Sequence, residues 1–256
     1  MAGSVQIERF GATLCWTLDN PRKNNALDGA MLEALANASE GVENDRGVRA
    51  VVLAGAGERA FCAGADIAEW GSLDSVDFMR RWIGGGHHLF DRLARLPVPV
   101  IAALEGWVFG GGLELAAICD LRIASPNASF ALPEASIGVT PGWSGAQRLG
   151  RLLPQALVRE MALTGARLDA QRMWSVGFVN EIVDKPLVRA MEIGERIALL
   201  APRAVEATKL VIAAASGEGG EQAIDRLAAG LVAGTRDLRE GVDSFRAKRK
   251  PDFNGD

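Results

Sequence analysis

Two glutamates and a run of glycines are the residues of this sequence best suited to acid–base chemistry. The three consecutive glycines 110–112 follow an apolar segment, and Glu114 stands in the first turn of the helix predicted after them. Glu134 ends a second apolar segment, twenty positions further along the chain. A glycine-rich strand-to-helix turn exposes backbone N–H groups, which with the helix dipole stabilise an oxygen that becomes negative during a reaction. The pattern indicates paired carboxylates beside an oxyanion-binding turn.

The rest of the composition leaves acid–base work to carboxylates. The 256 residues include no tyrosine and only two histidines, His87 and His88, whose adjacency on a helix disfavours a shared metal site. The cysteines at positions 15, 62 and 119 form no CxxC pair and are expected to be buried, reduced thiols. We therefore predict no metal.

Charge and hydropathy exclude two classes of partner. The net charge of −4 provides no basic footprint for nucleic acid. The first residues lack the features of a signal peptide, and no apolar run reaches the roughly 18 residues that span a bilayer. A cytoplasmic protein without nucleic-acid or membrane partners is the expectation.

The elements that must position the glutamates are strands alternating with helices. Residues 5–10 and 13–18 predict a hairpin, Asp28 is typical of the N-cap of a helix reaching about Val42, and residues 49–54 predict a buried strand. Small residues then cluster in the segment GAGERAFCAGADI, where the backbone can approach a ligand closely.

A long helix is predicted from Ser75 to Leu96, weakened where three glycines follow one another at 84–86. Residues 178–183 predict a strand, and everything after Pro186 predicts helices. The order predicts an α/β core with a helical C-terminal part. We place the core at residues 1–195 and the helical region at 196–256.

Several of these segments, in this order and spacing, resemble the crotonase superfamily and within it the enoyl-CoA hydratases. They are AFCAGADI, then PVIAALEGWVFGGGLELAAICDLRIAS, then FALPEASIGVTPG followed by QRL. The likeness extends over nearly the whole chain, from NPRKNNAL to EGVDSFRAKRKPDF. It implies a spiral of ββα turns with a C-terminal helical region that forms trimers, often stacked as hexamers. It also implies an acyl-CoA thioester substrate in fatty acid metabolism and no separate cofactor.

The resemblance assigns roles to individual residues. Ala65 and Gly111 match the two backbone N–H donors that hold the thioester carbonyl oxygen, Glu114 and Glu134 match the hydratase pair, and Gly142 matches a glycine near the bound water. Residues that match CoA contacts are Lys23, Ala63, Asp66, Ile67, Phe245 and Lys248. The loop of Lys23 is one residue shorter than is usual in the family.

Trp143 departs from the family pattern, because this loop usually holds only small residues. A tryptophan here either reshapes the pocket for the acyl group or packs into the core, and both alternatives stay open. Glu114 and Glu134 also have structural alternatives, as a residue favoured by the helix dipole and as part of a surface turn.

Water addition across a double bond conjugated to a thioester suits this residue set. Negative charge builds on the carbonyl oxygen, one carboxylate accepts a proton from water, and another donates a proton to the α-carbon. Two carboxylates in one apolar pocket cannot easily both be charged, so a shared proton is natural. Our hypothesis is that Glu114 activates the water and Glu134 protonates the α-carbon.

Other functions remain compatible with the scaffold, because a fold does not fix a reaction. The alternatives are a double-bond isomerase, which needs only one glutamate, a dehydratase of the carnitinyl-CoA type, and a non-catalytic acyl-CoA-binding protein. A dinucleotide site is excluded, because no G-x-G-x-x-G follows the first strand.

Overall fold

The computed structural model describes residues 2–256 of the chain. The strands of this part are β1 Ser4–Phe10, β2 Thr13–Asp19, β3 Ala50–Gly55, β4 Ala60–Cys62, β5 Val100–Leu104, β6 Trp107–Phe109, β7 Leu121–Ala124, β8 Ser129–Ala131, β9 Leu168–Asp169 and β10 Glu181–Ile182. The helices are α1 Gly29–Asn44, α2 Ile67–Trp70, α3 Ser75–Asp77, α4 Gly84–Ala94, α5 Gly111–Ile118, α6 Gly145–Leu152, α7 Gln155–Thr164, α8 Ala170–Ser175, α9 Pro186–Ala198, α10 Pro202–Ala215, α11 Gly220–Ala233 and α12 Arg236–Ala247.

The strands form two sheets, one of six strands and one of four. The larger sheet has the order β1-β2-β3-β5-β7-β10, and the smaller sheet has the order β4-β6-β8-β9. The predicted hairpin is present, with β1 antiparallel to β2, and β2, β3, β5, β7 and β10 then run parallel. Parallel neighbours need a crossover connection, which the intervening helices supply.

Successive strand pairs divide between the two sheets. β3, β5 and β7 lie in the larger sheet, while the strand that follows each of them, β4, β6 and β8, lies in the smaller one. Each pair is followed by helix, so the chain advances by ββα turns and the predicted spiral is confirmed. Both chemically interesting segments, the one after β4 and the one after β6, therefore leave adjacent parallel strands at the same end.

Local sequence signals explain how α1 is placed. Asp28 is its N-cap, as predicted, and the Oδ1 atom of Asp28 accepts a hydrogen bond of 2.9 Å from the Met31 amide. The buried face of α1 includes Met31, Leu35 and Val42, which belong to the main hydrophobic core. The opposite face of the larger sheet packs on α9 through a smaller apolar cluster.

The predicted long helix is present and continues through its three glycines, where a weakened or interrupted helix was expected. The backbone continues from α3 through a π-helical segment, Phe78–Ile83, into α4. The conformational cost of Gly86 is offset because its missing side chain makes room for another residue: a Cβ built there would lie 2.1 Å from Nε1 of Trp143. A π-helical segment inside an α-helix often marks a functional region.

The strand predicted at residues 178–183 was also too long, since β10 covers only two of them. Phe178 is apolar because it is a core residue and packs edge-on against Phe130. Its carbonyl oxygen accepts a 2.6 Å hydrogen bond from Nε of Arg122, whose guanidinium lies 4.8 Å from the centre of the Phe178 ring. Arg122 is itself buried and also donates to the Ala116 and Cys119 carbonyls.

The C-terminal helices were predicted correctly as a class. After Pro186 the chain forms only the helices α9 to α12, and the second compact unit of the molecule comprises Arg203–Asp256. The first unit ends at Pro202 and contains both sheets. A role for residues 196–256 in trimerisation stays a prediction.

Candidate functional site

An open cleft of about 220 Å³ lies in the first unit, and both candidate glutamates line it. Most of its other lining is apolar or glycine. The lining residues that the chemistry involves are Ala65, Gly111, Glu114, Glu134, Gly142 and Trp143, and aromatic and branched side chains come from Ile67, Trp70, Phe78, Trp82, Ile83, Ile137 and Val139.

Two backbone amides meet at one side of the cleft. A Cβ built on Gly111 would lie 3.4 Å from the Ala65 nitrogen, so the two predicted donors are neighbours. Within residues 2–256, neither amide donates a hydrogen bond to a protein acceptor. Gly64 permits this approach, because its φ of 113° is unfavourable for other residues and its Cα faces the Gly111 amide closely. Two unused donors beside each other suit a carbonyl oxygen that gains charge.

The loop that carries Ala65 is fixed by the chain before α1. The Leu27 amide donates to the Gly64 carbonyl at 2.8 Å, and the Asp66 amide donates to the Leu27 carbonyl at 2.8 Å. These two bonds flank Ala65 and leave its own amide directed elsewhere. The donor is therefore held in place before any ligand binds, which is what electrostatic catalysis requires.

Glu114 is a buried carboxylate held by a loop. It lies in the first turn of α5 and is only 3% exposed. Its Oε1 atom accepts hydrogen bonds from the amides of Trp143 at 2.8 Å and Gly145 at 2.7 Å. The pKa of Glu114 is raised, because burial outweighs the backbone hydrogen bonds and the nearby Arg148 charge, which act in the opposite direction. Gly145 must lack a side chain, because a Cβ there would lie 2.5 Å from Oε1.

Glu134 faces the same glycine turn from the end of β8. It begins a short 3₁₀ helix, Glu134–Ile137, and its Oε1 atom would lie 2.9 Å from a Cβ built on Gly110. Its Oε2 atom is buried and has no hydrogen-bond partner among residues 2–256. Burial, followed in the same direction by the Glu114 charge, raises the pKa of Glu134 to about 7. A carboxyl group that titrates near neutral pH can serve as a proton donor.

Trp143 packs into the core and lines the cleft at the same time, so the two alternatives for it are not exclusive. The side chain is 2% exposed. The centre of its ring system lies 5.3 Å from that of Trp82 and 5.1 Å from that of Phe90, and its Nε1 atom donates to the Trp82 carbonyl at 3.2 Å. Gly142 precedes it, and a Cβ there would lie 2.5 Å from Cδ1 of Ile83.

A polar cluster that the sequence did not reveal anchors the loop that binds Glu114. Ser144 has a φ of 76°, and its hydroxyl lies 3.1 Å from Nδ1 of His87. His87 lies 3.6 Å from Asp91, which pairs with the buried Arg148 at 2.6 Å. The cluster connects α4 with α6 and the residue before it, and its members are brought together only by the fold. No spacing in the sequence would have found it.

Four of the predicted CoA contacts lie close to one another. Ala63 and Ile67 line the cleft, and Asp66 stands between them as the N-cap of α2, with Oδ1 accepting from the Ala68 amide at 3.1 Å. The other oxygen of Asp66 pairs with Lys23. This pairing raises the pKa of Lys23, so the ammonium group stays charged and is held near the cleft.

The two remaining predicted contacts belong to the second unit. Phe245 lies on α12 with 85% of its surface exposed, and Lys248 follows at the C-cap. Their role toward CoA stays a prediction.

Residues 2–256 contain neither a metal cluster nor a helix that could span a membrane. No group of three or more His, Cys, Asp or Glu side chains there is arranged to hold a metal ion. No helix in this part of the chain is long and apolar enough to cross a membrane.

Known proteins resemble the chain along its full length. The family model described as enoyl-CoA hydratase/isomerase matches residues 10–256. The chain belongs to the enoyl-CoA hydratase/isomerase family. A short-chain-enoyl-CoA hydratase of Clostridium acetobutylicum is 36% identical, covering 96% of each chain. A carnitinyl-CoA dehydratase of Proteus mirabilis is 37% identical over the whole of both chains.

Structural comparison agrees with the family assignment. The crystal structure of an enoyl-CoA hydratase from Bacillus anthracis superposes with a TM-score of 0.81 at 33% identity, covering 99% of this chain and 100% of that one. The chain therefore has the crotonase fold that the sequence predicted. It is an enzyme, and the hydratase and dehydratase relatives place it among the hydro-lyases.

Proposed function

We propose that the protein adds water across the 2,3 double bond of a 2-enoyl-CoA thioester, or removes it in the reverse direction. The observation that carries this proposal is that the buried Glu114, the half-buried Glu134 and two unused backbone amides line one apolar cleft. The names of the relatives, which include a short-chain-enoyl-CoA hydratase and carnitinyl-CoA dehydratases, support the same reaction class.

In this proposal the thioester carbonyl oxygen accepts hydrogen bonds from the Ala65 and Gly111 amides. Attack on the β-carbon moves the electrons of the double bond onto that oxygen, and the two donors stabilise the resulting enolate. The loss of one such donor typically costs about 3 kcal/mol of transition-state stabilisation. Both donors precede or begin short helical turns, so the positive ends of those turns also favour the negative oxygen.

The two glutamates divide the proton transfers. Glu114, whose anion is stabilised by two loop amides, accepts a proton from the attacking water. Glu134, whose raised pKa of about 7 leaves a large protonated fraction at neutral pH, donates its proton to the α-carbon as the enolate collapses. One proton enters the pair and one leaves it in each turnover, so the net charge of the pair is unchanged, and transfer of a proton from Glu114 to Glu134 regenerates the starting state. Syn addition follows if both groups act from the same face.

The remaining parts of the proposal concern the partners. We expect CoA to enter as part of the substrate, with no other cofactor, and to be contacted by Lys23, Asp66 and their neighbours. We expect homotrimers or hexamers in the cytoplasm and a place in fatty acid metabolism.

Two other activities use the same scaffold. A carnitinyl-CoA-type dehydratase is favoured by relatives that are 36–37% identical to this chain. A double-bond isomerase needs one glutamate, and a silent acyl-CoA-binding protein needs neither. Only the hydratase and dehydratase proposals give both glutamates of the cleft a chemical role.

Loss of the enoyl-thioester absorbance on mixing enzyme with crotonyl-CoA tests the proposal. Wild type should consume the absorbance, and Glu114→Gln and Glu134→Gln should each reduce kcat by at least about 10²-fold, the lower range for one general acid or base. Glu33→Gln, a matched change on the exposed side of α1, should leave the rate unchanged.

Each contrary outcome points to a different function. Hydration by Glu134→Gln at the wild-type rate would exclude the two-carboxylate mechanism. Binding of crotonyl-CoA without any loss of absorbance in wild type would exclude short straight-chain hydration.

A further inference from the structure

We propose that Trp143 determines the length of the acyl group, because its indole closes the cleft beneath the Gly111 amide and leaves room for a short chain only. This inference rests on the proposed function, of which it names the substrate class. The expected substrates are 2-enoyl thioesters with a small apolar acyl group, and long acyl chains are excluded.

The indole fills the gap between two helices next to the reacting position. A Cβ built on Gly111, at the start of α5, would lie 3.1 Å from Cζ3 of the ring. On the other side, a Cβ built on Gly86 in α4 would lie 2.1 Å from Nε1. The ring thus touches the backbone of both helices. An acyl chain has no path between them while the indole is present.

The ring is held in this position. Its Nε1 donates to the carbonyl of Trp82 in the π-helical segment, and Phe90 packs behind it. Its own backbone amide is occupied by Glu114. Since the side chain is buried from both sides and hydrogen-bonded at its polar atom, we treat it as a fixed wall of the cleft and not as a movable lid.

The residues around the Trp143 indole indicate that the acyl group of the substrate is apolar. The cleft residues next to it, Trp82 and Ile83, present apolar surface. Trp143 lines the cleft and also fills the gap between α4 and α5. Truncating its side chain would therefore join the cleft to this gap. Such an enlarged pocket would be apolar and would extend toward Phe90, which suits additional methylene groups.

The experiment compares Trp143→Phe, Trp143→Leu and Trp143→Ala with wild type, each of which keeps the backbone amide that binds Glu114. Trp174→Ala is the matched control, because Trp174 lies on α8, outside the cleft, and is 49% exposed. Dissociation constants are measured for butyryl-CoA and decanoyl-CoA, and kcat/KM is measured for the corresponding 2-enoyl thioesters.

Wild type should bind butyryl-CoA more tightly than decanoyl-CoA. The ratio of the two dissociation constants should shift in favour of decanoyl-CoA from Trp143→Phe through Trp143→Leu to Trp143→Ala. The shift in Trp143→Ala should be at least about tenfold, which is the discrimination that a single methylene carries. The control should keep the wild-type ratio. If Trp143→Ala does not fold, the ratios measured for wild type, Trp143→Phe and Trp143→Leu test the inference.

An unchanged ratio across the Trp143 series, or wild type that already binds decanoyl-CoA as tightly as butyryl-CoA, would overturn the inference. The binding data separate this failure from that of the proposed function. A shift in the binding ratio without turnover by any variant would reject hydration and keep the role of Trp143. Turnover without a shift would do the reverse.

Discussion

Replacing Gly86 by alanine tests how tightly the Trp143 indole is held. Ideal geometry puts the new Cβ 2.1 Å from Nε1 and 2.5 Å from Cδ1 of that ring. At the neighbouring Gly85, nothing lies within 4 Å of the new atom, so Gly85→Ala is a matched control in the same helix. Alanine stabilises a helix interior by about 0.5–1 kcal/mol relative to glycine, which is the result expected at position 85.

At position 86 the overpacking caused by the new methyl group outweighs the gain in helix stability. An extra carbon in a packed core costs about 1–3 kcal/mol, and this indole cannot retreat because Gly111 and Phe90 confine it. The gain in helix propensity is common to both variants, so we expect Gly86→Ala to be less stable than Gly85→Ala by about 1–3 kcal/mol. Urea denaturation followed by tryptophan fluorescence measures the free energy of unfolding, at one protein concentration so that any assembly contributes equally.

The double variant Gly86→Ala/Trp143→Ala identifies the cause. If the indole is what the methyl group meets, the cost of Gly86→Ala should vanish when Trp143 is truncated, which gives a coupling energy of about 2 kcal/mol. Equal stabilities of Gly86→Ala and Gly85→Ala, or a cost that persists in the double variant, would refute the packing described here.

Two further changes test the electrostatics of Glu134 and the cap of α1. Because the folded-state pKa of Glu134 is raised to about 7 from its ordinary value near 4.3, its stabilising contribution is complete below pH ~4 and is lost as pH rises through 7. Wild type should therefore lose about 2 kcal/mol more stability than Glu134→Gln between pH 5 and pH 8, as measured by urea denaturation; parallel pH profiles would contradict the raised pKa. Asp28→Ala removes the acceptor of the Met31 amide and should cost about 1–2 kcal/mol, whereas Asp28→Asn, which still caps, should cost less than half of that in the same assay.

The sequence predicted the elements that have a strong period or a distinct cap. The hairpin, the Asp28 cap and the helices after Pro186 all follow from local patterns. The three-residue strands β4, β6 and β8 escaped prediction, because strands this short show no alternation and are recognised only through their partners in the second sheet.

The candidate site also has parts that the sequence predicted and parts that it did not. The residue pattern indicated Glu114, Glu134 and the glycine turn, the family resemblance assigned their roles, and the structure places them on one cleft. The sequence predicted that the glycines at 84–86 would weaken a helix, since glycine alone does so. Their actual role depends on Trp143, which is far away in sequence, and no local pattern carries that relation.

Arg122 limits which substitutions this scaffold tolerates at the far end of α5. Its guanidinium serves carbonyl groups from the end of α5, from the turn that follows and from the segment before β10, in one buried position. A lysine would retain the charge but not the planar fork that reaches all of them, so the usual conservative exchange is not conservative here. An exchange of Arg122 would therefore leave buried carbonyl groups at the end of α5 without their donor, in the same helix that carries Glu114 in its first turn.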